Sequence, residues 1–140
     1  MDAVGNVPAA ELPANPDRGE HELELGGTTY LLRPSHQAIR AIERKTERST
    51  MDLFRLGNTG SLSFDQLAII ATELIRAGGE DEMTRAVNAE RIGELIYEAG
   101  SHRAMARLTL CLIDAASGGR TASGEAKAAP VAMSGTAGAA

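Results

Sequence analysis

Two adjacent glycines, Gly26-Gly27, stand between two short runs of apolar and polar residues, and they constrain this chain more than any other feature. Glu22-Leu23-Glu24-Leu25 precedes them and Thr28-Thr29-Tyr30-Leu31-Leu32-Arg33 follows. A two-residue primed turn needs φ > 0 at both central positions, which glycine adopts without steric cost. The spacing predicts a β-hairpin in which Leu25 faces Thr28, Leu23 faces Tyr30 and Glu20 faces Arg33. Side chains alternate along a strand. One face therefore carries Leu23, Leu25, Tyr30 and Leu32, and the other Glu22, Glu24, Thr29 and Leu31. A lone hairpin is marginal in water. Its apolar face must lie on helices or on another chain.

The remaining signals are helical. Pro34-Ser35 ends the second strand and opens a helix over 36–47, with Ser35 as N-cap and a thin apolar stripe of Ala38, Ile39 and Ile42. A short helix over 51–56, capped by Thr50, precedes a loop bracketed by Gly57 and Gly60. The clearest local signal comes next: Ser63 and Gln66 have capping-box spacing, and Leu62 and Leu67 have hydrophobic-staple spacing. Leu67, Ile70, Ala71, Leu74 and Ile75 then recur on one helical face, and Gly78 stands where a C-cap glycine belongs. A charged connection over 80–87 has room for one helical turn. Asn88 caps a helix over 89–99 with Ile92, Leu95 and Ile96 inward, and Gly100 ends it. Ser101 caps the last helix, 102–116, which is apolar at Met105 and Leu108 and nearly all round at Leu110, Cys111, Leu112 and Ile113. Such a helix is either central in a core or covered by a partner. The expected fold class is α+β, mostly α: an N-terminal β-hairpin followed by four or five helices.

The ends of the 140-residue chain differ from its middle. Residues 1–19 mix Pro8, Pro13 and Pro16 with small and polar residues, and 118–140 are almost wholly Ala, Gly, Ser and Thr. Neither has a hydrophobic period or enough apolar area to offset chain entropy. Both are expected to be disordered, with one domain over 20–117 and a modest core. The formal net charge of -5 argues against a sequence-independent DNA binder, which needs a basic surface. Cys111 is the single cysteine, so no disulfide framework exists and a reducing cytoplasm fits. No apolar run approaches the ~18 residues of a membrane helix, and the first 18 residues do not have the pattern of a secretion signal.

No constellation points to catalysis. His21, His36 and His102 are far apart, none at the i, i+4 spacing of a helical metal site. Cys111 lies in an apolar run and reads as a buried, inert thiol. Glu80-Asp81-Glu82 does not have the alternating ligand pattern of a calcium loop. Gly26-Gly27 has neither the lysine nor the following helix of a phosphate loop. Tyr30, Phe54, Phe64 and Tyr97 are too few for a base-stacking platform and read as core or interface residues. No catalytic, cofactor-binding or metal-binding residue is expected. One charged feature stands out: Arg40, Arg44 and Arg48 recur at i, i+4, with Lys45 beside them. They suit an acidic partner or phosphates. The plainer reading is a solvated face, partly neutralised by Glu43 and Glu47 at i+3.

In order, the pieces form a pattern. Arg18-Gly-Glu-His-Glu-Leu-Glu-Leu-Gly-Gly-Thr-Thr-Tyr-Leu-Leu-Arg33 is a strand, a glycine turn and a strand ending on a basic residue. Ala38-Ile-Arg-Ala-Ile-Glu43 follows, then the helix over 67–78, then Glu90-Arg-Ile-Gly-Glu-Leu-Ile-Tyr-Glu-Ala-Gly100. This layout resembles that of the small tail proteins of gene transfer agents and related siphophages, over about residues 18–119. That family carries the labels of both tail tube protein and tail assembly chaperone.

The resemblance implies a non-enzymatic role in building a long tail, in the cytoplasm of a bacterial host cell and transiently on assembling tails. It implies the tape measure protein and the tail tube protein as partners, and leaves room for a homo-oligomer. A chaperone of this kind covers apolar stretches of the tape measure protein until tube subunits replace it. The residues compatible with partner binding are Leu23, Leu25 and Tyr30 on the hairpin, Arg40, Arg44 and Arg48 on the first helix, and Leu110 and Ile113 on the last. Two alternatives stand beside the chaperone: a structural tail tube subunit, which a larger sheet would favour, and a DNA-binding regulator using the arginine helix.

Overall fold

The computed structural model describes residues 21–127. The segment 1–19, Glu20 and residues 128–140 lie outside the described residues, and with them the expected Glu20–Arg33 pairing and most of both expected disordered ends.

The hairpin forms in the predicted register. Strands β1 (His21–Leu25) and β2 (Thr28–Leu32) are antiparallel, with Leu23 opposite Tyr30 and Leu25 opposite Thr28. Gly26 and Gly27 have φ of 57° and 82°, as a primed turn requires. Leu23, Leu25 and Leu32 are buried to within 2 %. Burying a leucine this completely contributes about 2 kcal/mol, which is what a two-stranded sheet needs in order to persist. Helices supply the cover: β1 lies on α5 (Ala89–Ala99) and α6 (Ser101–Ala116), and β2 on α3 (Phe64–Gly78).

α3 is the central element. It packs against β2, α1 (His36–Thr46), α4 (Glu82–Arg85), α5 and α6. Its predicted face, Leu67, Ile70, Ala71, Leu74 and Ile75, is wholly buried, and Ala68, Thr72 and Gly78 are buried as well. The capping box is complete: the Gln66 amide donates to Ser63 Oγ at 3.0 Å and the Ser63 amide to Gln66 Oε1 at 2.8 Å. Leu62 and Leu67, the staple pair, are both in the core. Ser63→Ala removes one of these bonds and is expected to cost about 1 kcal/mol, read as a lower midpoint in urea with unchanged slope. Thr72 Oγ1 is buried without a hydrogen-bond partner. Thr72→Val keeps the shape and removes that uncompensated hydroxyl, and is expected to raise stability by about 1 kcal/mol in the same measurement.

Six helices follow the hairpin among the described residues rather than four or five, because the charged connection forms the one-turn α4 under an Asp81 cap, and other boundaries move by one or two residues. α2 (Thr50–Asn58) begins earlier than expected because Ser49, not Thr50, is its N-cap, accepting from the Asp52 amide. Thr50 is instead buried, and its amide and hydroxyl both donate to Glu43 Oε2 at 2.8 Å. Ser35, Ser63 and Asn88 cap as predicted. Ser101 does not cap α6 but lies inside it; Gly100, at φ 93°, is the N-cap residue and offers no side chain.

The ordered chain continues past Ser117. From Gly118 to Lys127 it was expected to be disordered, but it folds back as a compact turn closed by Thr121 N–Glu125 O at 2.8 Å and Lys127 N–Gly119 O at 2.9 Å. The His36 amide at the start of α1 donates to Ala122 O at 2.8 Å. Gly124, at φ 93°, lies so close to the β2–α1 junction that a Cβ there would be 2.5 Å from Arg33 Cγ and 2.9 Å from the Ser35 nitrogen. The composition of this segment hides Arg120, whose side chain is 7 % exposed and holds the turn to α6.

Candidate functional site

The expected partner residues separate into three places. Leu23 and Leu25 are buried in the chain's own core, 1 % and 2 % exposed, so their apolar surface meets α5 and α6 rather than a partner. Tyr30 is half-buried against the same core.

Arg40 and Arg44 lie exposed on α1, but the stripe does not continue to Arg48. α1 ends at Thr46 and Glu47 takes the left-handed conformation, φ 59° and ψ 36°, which turns the chain off the helix axis before Arg48. Glu43, expected to neutralise Arg40, is engaged by Thr50 instead. Among the described residues Arg40, Arg44 and Arg48 make no ion pair, while Lys45 reaches across to Glu73 on α3 at 2.6 Å. The feature is an uncompensated basic surface, not a continuous helical stripe of the sort a recognition helix offers.

α6 carries the third group. Its inner face, Ala104, Leu108, Cys111 and Leu112, is buried. Leu110 is 53 % exposed and Ile113 half-buried. With exposed Ala106 they form an apolar line at i, i+4 and i+7, flanked by exposed Arg103 and Arg107, which make no ion pair among the described residues. α3 rather than α6 holds the centre of the core, and α6 leaves an apolar edge outside.

Sequence reasoning missed two arrangements. The first is a groove of about 450 Å³ between the start of α3 and the outer face of α5. Phe64 and Tyr97 wall it, their ring centroids 5.6 Å apart and tilted at 57°. They are 45 % and 72 % exposed, large apolar area for a small protein. Ala68 and Gly93 form its floor, close enough that a Cβ on Gly93 would be 3.2 Å from that of Ala68. Asp65, Glu90, Glu94 and Glu98 line it with carboxylates, of which only Glu94 has an ion-pair partner among the described residues, Arg91 at 3.0 Å. The i, i+4, i+8 spacing of Glu90, Glu94 and Glu98 was visible in the sequence; that Phe64 would face Tyr97 was not, since they are 33 residues apart in the chain.

The second is a cluster joining β1 to α6 and to the turn that follows it. Asp114 on α6 accepts from His21 Nε2 at 2.9 Å and from Arg120 Nε at 2.9 Å, with Arg120 Nη2 also on the same oxygen. Burial alone would push the Asp114 carboxyl up, but the His21 and Arg120 hydrogen bonds and the Arg120 charge outweigh it and hold it below the ordinary carboxylate value. A carboxylate depressed in the folded state contributes stability above its unfolded pKa near 4 and loses it as pH falls through the folded value. With solvent screening of this partly exposed group, Asp114→Asn is expected to cost about 1 kcal/mol at neutral pH, and that difference should shrink as pH falls from about 4 through the lower folded value, measured by urea unfolding across pH. Burial pushes the neighbouring Cys111 thiol up to about 12, so it stays protonated at neutral pH. Among the described residues no group of three or more His, Cys, Asp or Glu is placed to hold a metal ion, and no helix is long and apolar enough to cross a membrane.

The described residues thus form a small, mostly helical module with exposed charged and apolar surfaces. No curated protein and no solved structure matches the chain. A family model does, over residues 18–108, which takes in the hairpin, α1 to α5 and the first half of α6. That match covers well over half of the sequence, and the chain belongs to the family described as phage tail tube protein, GTA-gp10.

Proposed function

We propose that this protein is a non-enzymatic tail assembly chaperone, which holds the tape measure protein during tail morphogenesis and gives way to tube subunits. The observation that carries this reading is the extent of the sheet. Among the described residues it has two strands, and its apolar face is already covered by α3, α5 and α6. A tube wall assembled from neighbouring subunits calls for a larger sheet whose strands remain available to the next copy. A holder needs none; it needs accessible apolar surface with low affinity per contact, so that it can be displaced. Phe64, Tyr97, Met51, Met83 and Leu110 supply such surface in small separate portions, and Arg40, Arg44 and Arg48 supply charge.

A structural tail tube subunit is the second reading, favoured by the family's own description. One experiment separates the two. The protein is co-expressed with the tape measure protein of the same tail gene cluster, and co-purification and tape measure solubility are measured. A soluble complex that depends on the exposed apolar residues supports the chaperone. Failure to bind any tape measure segment, with tubes formed by the protein alone in electron micrographs, establishes the structural subunit.

A further inference from the structure

The groove between α3 and α5 and the outer face of α6 are complementary. The groove is aromatic within and acidic at its edge, through Phe64, Tyr97, Asp65, Glu90 and Glu98. The outer face of α6 has an apolar line, Ala106, Leu110 and Ile113, with Arg103 and Arg107 beside it. Each surface exposes apolar area that the described residues do not cover, and each bears charges with no ion-pair partner among them. α1, the other basic helix, does not match the groove, because its exposed positions His36, Gln37, Arg40, Arg44 and Lys45 include no apolar residue to lie against the aromatic pair.

We propose that α6 of one copy of this protein docks into the α3–α5 groove of a second copy. Leu110 and Ile113 lie against Phe64 and Tyr97, and Arg103 and Arg107 meet the carboxylates of Glu90, Glu98 and Asp65. The two surfaces share no residue, so each copy offers one of each. Such a contact is heterologous: it closes into a ring if the rotation between copies permits and continues as a filament if not. Aromatic and arginine anchors in this arrangement are those that dominate protein interfaces. The inference goes beyond the chaperone reading and does not rest on it.

The test uses the full chain, with mass followed by light scattering and sedimentation over a range of concentration. The wild type is expected to associate above its 14.7 kDa monomer mass, less so in high salt. Two charge reversals on exposed positions are made: Glu90→Arg with Glu98→Arg in the groove, and Arg103→Glu with Arg107→Glu on α6, each checked for an unchanged circular dichroism spectrum. Each pair alone sets like charges against each other and should weaken association by more than about a hundredfold. Mixing the two variants restores opposite charges across the contact and should restore association. Tyr97→Ala should weaken association at full charge. A monomeric wild type at every concentration, an assembly indifferent to both reversals, or a mixture that stays monomeric overturns the proposal. If a lysine- and leucine-rich helical peptide binds a monomeric wild type, the groove takes a foreign helix and self-docking is overturned. A wild type that associates as described yet binds no tape measure protein leaves this contact standing and removes the chaperone reading.

Discussion

Leu74→Ala is expected to remove about 3 kcal/mol of stability, of the order of 15 °C in melting temperature for a domain of this size. Leu74 is fully buried on α3 and part of the single core that joins the hairpin to the helices. Its side chain cannot be replaced by solvent, and α3 cannot collapse toward the gap, since β2, α1, α5 and α6 pack around it. The loss is therefore transfer free energy plus an unrelieved cavity. It should appear as a lower urea midpoint with the slope retained, because the unfolded state is unchanged. A cost below about 1 kcal/mol would mean that the site relaxes and that α3 is not the rigid centre described above.

The second large effect has the opposite sign of volume. Gly78→Ala places a Cβ 2.2 Å from the carbonyl oxygen of Leu31 and 2.9 Å from its carbon. Both are backbone atoms of β2, and no rotamer change removes them. Either the end of α3 or the strand must move, and the Arg33 N–Leu74 O hydrogen bond of 3.1 Å between the same two elements is strained with it. Overpacking of this kind costs about 3 kcal/mol. Gly93→Ala is the internal control. It is also a glycine in a helix, but its new Cβ would meet only the Ala68 Cβ, at 3.2 Å. The gain of roughly 1 kcal/mol in helix propensity should largely offset that contact. Equal losses at the two positions, measured by thermal unfolding, would contradict the close approach of α3 to β2.

The sequence announced local structure well where one short stretch contains the whole cause. Gly26-Gly27 fixed the hairpin register through its own torsions, and Ser63 with Gln66 began α3 through two hydrogen bonds within four residues. Ser49 was overlooked because Thr50 beside it is an equally good cap, and the choice between them is made by Glu43 seven residues away. The composition of residues 118–127 hides their order for a related reason: their stability comes from Arg120 on Asp114 and from Gly124 against Pro34-Ser35, neither of which is a property of the segment alone. The surfaces follow the same division. That Leu110 is exposed and Leu108 buried could be read only as a helix with apolar residues on every side; the packing of α3 decides which of them faces out. The aromatic groove depends on bringing α3 beside α5, and no window of the sequence contains both.

The hydrogen bond between His21 and Asp114 spans 93 positions of the chain, and β1 rests on α6. β1 thus completes its cover only after α6 has been synthesised. Until then Leu23 and Leu25 have no complete binding face, and the nascent hairpin must wait, exposed, while about a hundred further residues are added at ~5–20 per second. Contacts of such long range slow folding relative to helical bundles of the same size. A product truncated within α6, at the end of the family match, would retain the hairpin and its contact with α5 but lose the second half of α6 and with it the Asp114 partner of His21, so it should be less stable than the full chain.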